Sequence, residues 1–345
     1  MKKMIFCLAL AFTLDAHAKN IVILATGGTI AGAGESVIGS VYSPGKIGIE
    51  QIIKNIPGIT KLAEIKAEQI MQKASQDFNA NDWLLIAKKI NEALAKRSVH
   101  GAVITHGTDT LEETAYFLNL VVKSKKPVVL VGSMRPSTSL SADGSLNLYN
   151  AVALANSDTA YNKGVLVMLN DEIFAARDVA KTHTTNVATF KSPNTGPIGE
   201  VLYGKTKIYY NPLRTHTDQT VFDVRKLESL PKVDIVYAYS GADEGTIDYL
   251  VSSGSQAIIL AGVGDGNINQ KSVERLKEAA KKGVLVVRSA HLGAGVVEPN
   301  VEINDDEFGF VTADNLSPQK ARILAILALT KTKDIKKIRK FFEVY

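Results

Sequence analysis

Seven apolar runs rich in β-branched residues recur along the chain: NIVILAT, GAVIT, KPVVLVGS, GVLVML, VDIVYAY, QAIILAG and GVLVVRS. A strand with one wet face alternates apolar and polar residues, whereas a strand covered on both faces reads as a nearly continuous apolar run. Helix-length amphipathic segments, such as ANDWLLIAKKINEALAK and NQKSVERLKEAAKK, lie between most of these runs. Strand and helix in alternation specify an α/β fold with a mainly parallel sheet flanked by helices. Four of the runs precede the segment NPLRTHTDQTVFDVRKLESLPK, which has two prolines and no clear period until its end, and three follow it. The expectation is a larger N-terminal domain at 19–212, a linker at 213–232 and a smaller C-terminal α/β domain at 233–345.

Residues 1–18 have the form of a secretory signal peptide. Lys2 and Lys3 open it, an apolar stretch runs from Met4 to Leu14, and Ala16-His17-Ala18 supplies a small-x-small cleavage site. The apolar stretch is far short of the roughly 20 residues that cross a bilayer, so export and cleavage are expected, with a periplasmic protein and no membrane anchor in the mature form. Cys7 is the only cysteine and would leave with this segment, so the mature chain has no intramolecular disulfide available. Its stability must come from core burial, for which 46% hydrophobic residues give the material, or from subunit association. Losing Lys2, Lys3 and Asp15 lowers the formal charge of +5 by one. Much of the basic character is in KTKDIKKIRKFFEVY, where Ile335, Ile338, Phe342 and Tyr345 fall at helical spacing. That pattern describes a docked helix with its lysines in water, and no nucleic-acid partner is expected.

The stretch HGTDTLEETAYFL follows the strand GAVIT, and Thr110-x-x-Glu113 in it reads as a helix capping box. Thr108 and Asp109 are left without a structural task at the carboxyl end of a strand, where open parallel sheets bind ligands. The first strand ends in ATGGTIAG, whose paired glycines turn the chain and free backbone amides for an oxyanion or carboxylate. GEVLYGKT matches a phosphate-loop pattern letter for letter, but its interior is not glycine-rich and the following KIYYNP reads as extended. AGVGDGN lacks the spacing of a dinucleotide site and is expected to be a loop of close backbone approach. Six scattered histidines and no mature thiol supply no metal-ligand set, so neither metal nor cofactor is expected.

Taken together, ATGGTIAG and GAVITHGTDTL resemble the two signature motifs of the bacterial asparaginase family. VYSPGKIG, ASQDF, GSMRPSTSLSADGSLNLYNAV, RDVAKTHTTNVATFKS, AGVGDGN and SPQKARILAILALT also look like blocks of that family. The similarity runs over nearly the whole mature chain and, with the signal peptide, is greatest to the secreted type II L-asparaginase group.

This resemblance implies hydrolysis of L-asparagine to L-aspartate and ammonia through a β-aspartyl ester on a threonine, with L-glutamine as an alternative substrate of a dual-specificity enzyme. By position, Thr29 would be the nucleophile and Tyr42 the phenol beside it. Thr108, Asp109 and Lys181 would form a Thr-Lys-Asp group. Asp77 and Asp109 would meet the substrate ammonium, and Ser75 and Gln76 its carboxylate. Asn267 would reach an adjacent subunit's site, and Glu302, with Glu298 as a rival, would be an acid supplied there. The family is typically a homotetramer, a dimer of dimers with shared active sites. An exported binding protein without catalysis is the reading from another class, and an intact set of hydroxyls and bases argues against it. A transfer-RNA amidotransferase subunit is disfavoured by the signal peptide.

Overall fold

The structure is a computed structural model that describes residues 19–38 and 41–345. The signal-peptide segment lies outside the described residues.

The strands are β1 (Asn20–Gly27), β2 (Glu64–Lys73), β3 (Val99–Thr105), β4 (Val128–Val131), β5 (Val165–Leu169), β6 (Glu172–Ala175), β7 (Ala180–Lys181), β8 (Phe190–Lys191), β9 (Gly199–Leu202), β10 (Lys205–Ile208), β11 (Val233–Tyr237), β12 (Ala257–Gly262), β13 (Leu285–Ala290) and β14 (Val311–Thr312). The helices are α1 (Ile49–Lys54), α2 (Ile59–Leu62), α3 (Ala80–Ala95), α4 (Leu111–Val121), α5 (Gly144–Asn156), α6 (Gly245–Ser252), α7 (Gln270–Lys281), α8 (Asp305–Phe308), α9 (Pro318–Leu329) and α10 (Ile335–Val344).

The larger sheet has the order β10-β9-β6-β5-β4-β3-β1-β2. Strands β2, β1, β3, β4 and β5 are parallel, and β6, β9 and β10 join antiparallel at one end. The central strands are apolar throughout because both faces are covered. Leu24, Ile104 and Leu130 pack with α3 and α4 on one side, while Ile23, Val103 and Val129 pack with α5 on the other. Edge strand β2, EIKAEQIMQK, alternates half-buried and exposed positions over most of its length, so it carries no continuous apolar run. The phosphate-loop look-alike forms the β9–β10 hairpin, with Tyr203 and Gly204 at positive φ in its turn.

The smaller sheet, β11-β12-β13-β14, is parallel throughout. Helices α6 and α7 cover one face through Ile247, Val273 and Leu276. Helix α9 covers the other, and its buried Ile323, Leu324 and Leu327 belong to the same apolar cluster as Tyr116 and Leu120 of α4. The two sheets therefore share one core through α9.

Segment 213–232 has no regular helix or strand beyond a single 3-10 turn at Thr217–Gln219. It is nonetheless packed: Phe222 and Val224 are buried, and the Lys123 ammonium donates to the carbonyl and hydroxyl of Thr220. At the C-terminus, α10 buries Ile338, Phe342 and Tyr345 and leaves Lys336, Lys337 and Lys340 exposed. Among the described residues no helix is long and apolar enough to cross a membrane.

Candidate active site

The carboxyl ends of β2, β1 and β3 meet with almost no space between their backbones. A Cβ on Gly28, which sits at φ +79°, would lie 2.4 Å from the Gly107 nitrogen, and one on Gly107 would lie 2.6 Å from Ser75 Oγ. Only glycine permits this approach. The Thr26 hydroxyl donates to the Thr105 carbonyl at 2.7 Å, and Gly28 N–H to Lys73 O at 3.0 Å. Thr29, Thr108 and Ser75 are thereby gathered from three strand ends.

Thr29 opens a 3-10 turn at Thr29–Ala31 and is 9% exposed. The chain then leaves and returns so that Ala33 and Ser43 exchange both backbone hydrogen bonds, at 3.1 and 3.0 Å. The Tyr42 ring lies against Gly32, where a Cβ would be 2.8 Å from its Cδ2. Its phenol oxygen reaches Thr29 Oγ1 at 2.8 Å.

A second cluster forms around Lys181 at the end of β7. The ammonium donates to Thr108 Oγ1 at 3.0 Å and to Asp109 Oδ1 at 2.6 Å. Thr108 is buried, Lys181 half-buried, and Asp109 exposed. The Lys181 backbone N–H donates to Glu112 Oε2 at 2.6 Å. Glu112 is a buried acid in the first turn of α4 that the sequence marks only as an ordinary helix-start residue.

His106 is fully buried, and desolvation holds it down at about 4, so it is neutral near pH 7. Its Nδ1 lies 2.7 Å from Gly107 O and must carry the proton, because a carbonyl only accepts. Nε2 then accepts from the Thr114 hydroxyl at 2.9 Å, and that oxygen accepts from Trp83 Nε1 at 3.1 Å. The chain fixes the Gly107 carbonyl, and a planar trans peptide turns the Thr108 N–H the opposite way.

The expected capping box does not form. Thr110 is the N-cap of α4, but its hydroxyl donates to Ser75 O at 2.8 Å rather than capping the helix. Glu113 lies 3.7 Å from Arg322 of α9 and is pushed up to about 7 by burial. Satisfying a carbonyl in the turn Ser75–Asp77 outcompetes a cap at a helix start that buried packing already holds. Thr110 therefore belongs to the scaffold of the site.

Ser75 is buried beside Gly107, while Gln76 and Asp77 are exposed in the same turn. Thr29, Tyr42, Ser75, Gln76, Asp77, Thr108, Asp109 and Lys181 thus surround one group of strand ends. Asn267 and Glu302 are on the smaller domain instead. Asn267 pairs with Val263 through both backbone bonds and has a buried Oδ1 without a partner among the described residues. Glu302 is exposed on the loop after β13. Glu298 in the same loop donates its backbone N–H to Asp265 Oδ1 at 3.0 Å and lines an interdomain cleft of about 750 Å³ that also borders Lys181. Among the described residues, neither Asn267 nor Glu302 hydrogen-bonds to the first group within one chain.

Chemically, a threonine hydroxyl against a phenol and a second hydroxyl against a lysine make two routes for moving a proton, side by side. The family pattern described as "Asparaginase, N-terminal" matches residues 20–214, and "Glutaminase/Asparaginase C-terminal domain" matches residues 232–342. L-asparaginase 2 of Escherichia coli (strain K12) is 51% identical over 326 residues, covering 94% of this chain and 93% of its own. The probable periplasmic L-asparaginase of Haemophilus influenzae is 50% identical over 339 residues, covering 98% and 97%. The crystal structure of the probable cytoplasmic L-asparaginase from Campylobacter jejuni superposes with a TM-score of 0.92 at 50% identity, over 95% of this chain and 100% of that one.

Proposed function

The chain belongs to the asparaginase family and is an asparagine amidohydrolase, and from that premise we propose that it works through a covalent β-aspartyl ester on Thr29. The observation that carries this reading is the 2.8 Å contact between Thr29 Oγ1 and the Tyr42 phenol. As the Thr29 hydroxyl attacks the side-chain amide carbon, the Tyr42 phenol takes its proton and passes its own to the amide nitrogen, so the C–O bond forms, the C–N bond breaks and neutral ammonia leaves. Water then attacks the ester, frees aspartate and returns the proton to Thr29. Lys181, held between Thr108 and Asp109, is the base that moves a proton through the Thr108 hydroxyl. Amides at the turns after β1 and β3 stabilise the oxyanion. Asp77 and Asp109 receive the substrate ammonium, and Ser75 and Gln76 its carboxylate.

In this proposal Asn267 and Glu302 act on the site of a neighbouring subunit in a homotetramer built as a dimer of dimers. Asn267 Oδ1, unpartnered among the described residues, and the exposed Glu302, neither of which meets the first group within one chain, support that reading. Export to the periplasm with cleavage after Ala18 is part of the same proposal, supported by the form of residues 1–18 and by the printed name of the Haemophilus relative. Domain limits of 19–212 and 233–345 with a connector at 213–232 complete it. The C-terminal family description also names glutaminases, which favours L-glutamine as the second substrate to measure. One methylene separates the two amides and is worth only about 1 to 3 kcal/mol of discrimination.

The test is ammonia release from each amide by wild type, Thr29→Ala and Thr108→Val, with mass spectrometry of enzyme trapped on a slow substrate. An aspartyl adduct on Thr29 is expected. An adduct elsewhere, or full activity in either variant, refutes the assignment. Sedimentation and N-terminal sequencing of protein from the periplasm check assembly and cleavage.

A further inference from the structure

The block SPQKAR in the second domain has no task in the reaction as proposed, yet it reaches the support of Lys181. Helix α9 enters this region with Lys320, which is 3% exposed. Its ammonium donates to the carbonyl oxygens of Arg177, at 2.8 Å, and of Val179. Two residues after Val179 comes Lys181, whose own N–H is held by Glu112. Besides its pairing with β8, the short strand that presents Lys181 to Thr108 is therefore held by two hydrogen bonds from the other domain to its lead-in and by one to α4 at Lys181 itself. A lysine is almost never fully buried unless it is paired, and neutral carbonyls alone compensate its charge poorly. Glu112 is the anion acting most strongly on it, followed by Asp178.

We propose that Lys320 is a positioning residue for Lys181: it clamps the lead-in to β7 from the second domain and, opposed by Glu112, contributes a positive charge that favours loss of the Lys181 proton. The inference rests on Lys181 serving as a base, as proposed above. The charged groups around this pair are Asp109 at the end of β3, Glu112 and Glu113 on α4, Arg177 and Asp178 before β7, His183 after it, and Arg322 on α9. Desolvation lowers Lys320 to about 8, so its charge is present below that pH while its hydrogen bonds outlast it.

The experiment compares Lys320→Met and Glu112→Gln with wild type in kcat, KM and the pH at which the rate rises, with circular dichroism as a check on folding. Lys320→Met keeps the length of the side chain and loses its charge and donors. At pH 7 its kcat should fall at least about tenfold, with KM changed less than about threefold. Its rising limb should move up by about half a pH unit or more, recovering part of the loss near pH 9. Glu112→Gln keeps an amide oxygen for the Lys181 N–H and should move the limb down. Merely loosening the strand would move both limbs the same way or neither. A folded Lys320→Met with the wild-type kcat and limb overturns the proposal. If that variant does not fold, Glu112→Gln decides: a downward shift supports the proposal, and no shift or an upward one overturns it. Lys181→Met is measured beside them. If it stays active, the assigned role of Lys181 fails; if it is inactive while Lys320→Met behaves as wild type, only the present inference fails.

Discussion

Thr29 and Thr108 are the same side chain at the ends of adjacent parallel strands, but the molecule holds them differently. The Thr29 hydroxyl meets a tyrosine that is 36% exposed, on a returning segment tied back by backbone bonds, the Ala33–Ser43 pair, Gly45 N–H to Gly28 O and Ile47 N–H to Ala31 O, and by contact with Gly32. The Thr108 hydroxyl meets a lysine whose backbone is anchored to Glu112 and whose lead-in is clamped from another domain. The Gly107 carbonyl next to Thr108 is itself fixed by a buried relay of His106, Thr114 and Trp83. Both threonines are buried, but the partner of the first sits on a partly exposed segment and the supports of the second run into the core. The difference suits the proposed reaction, in which the first hydroxyl admits substrate and carries an acyl group while the second moves protons in a fixed frame.

The sharpest way to break this comparison is at the proposed nucleophile. Thr29→Ala should lose about 10⁴-fold in kcat and form no acyl adduct, with its melting temperature nearly unchanged because the side chain supports little else. Steady-state ammonia release and calorimetry read both. Tyr42→Phe should cost about 10² to 10³ in kcat and also leave the melting temperature near that of wild type, since the phenol is partly solvated. A large stability loss in Tyr42→Phe would erase the contrast between the two centres.

Effects on the scaffold should be smaller and should fall on stability. Thr110→Val removes the donor to Ser75 O, an expected loss of about 1 to 3 kcal/mol on thermal or denaturant unfolding. KM should rise several-fold because Ser75 and Gln76 lose their seat. Glu113 gives the most specific effect, confined to one pH window. Its folded value of about 7 lies above its ordinary 4.5, so between these values the folded chain binds the proton more tightly than the unfolded one. Its contribution is complete below about 4.5, is lost as pH rises towards 7, and is flat above that. Glu113→Gln should remove this slope, about 1 to 3 kcal/mol over the window, from melting temperatures measured at pH 4.5 to 8.

The sequence disclosed those parts of the molecule whose physics is local. Strands β1, β3, β4, β5 and β12 are legible because burial on both faces leaves an apolar run, and β11 and β13 because theirs remain mostly apolar despite Asp234 in one and Arg288 in the other. Strand β2 stays hidden because an edge strand alternates, and β6, β9 and β10 because they are short and antiparallel. Thr108 and Asp109 stand out as residues left over once a helix start is accounted for, although that account misassigned Thr110 to a cap. Thr29, Tyr42 and Lys181 emerge only from the family resemblance. Glu112 and Lys320 are invisible in both ways, because their partners are 69 and 141 to 143 residues distant and each sits in an unremarkable helical context.

Because α9 is a wall of both cores, a protease that nicked the chain between the domains would not release two independent proteins. Each half would expose a bare apolar face that fits only the other, so a cut in the connector should leave an active, non-covalent complex that survives gel filtration. Separate expression of the halves should give insoluble material, and mixing them during refolding should restore the enzyme.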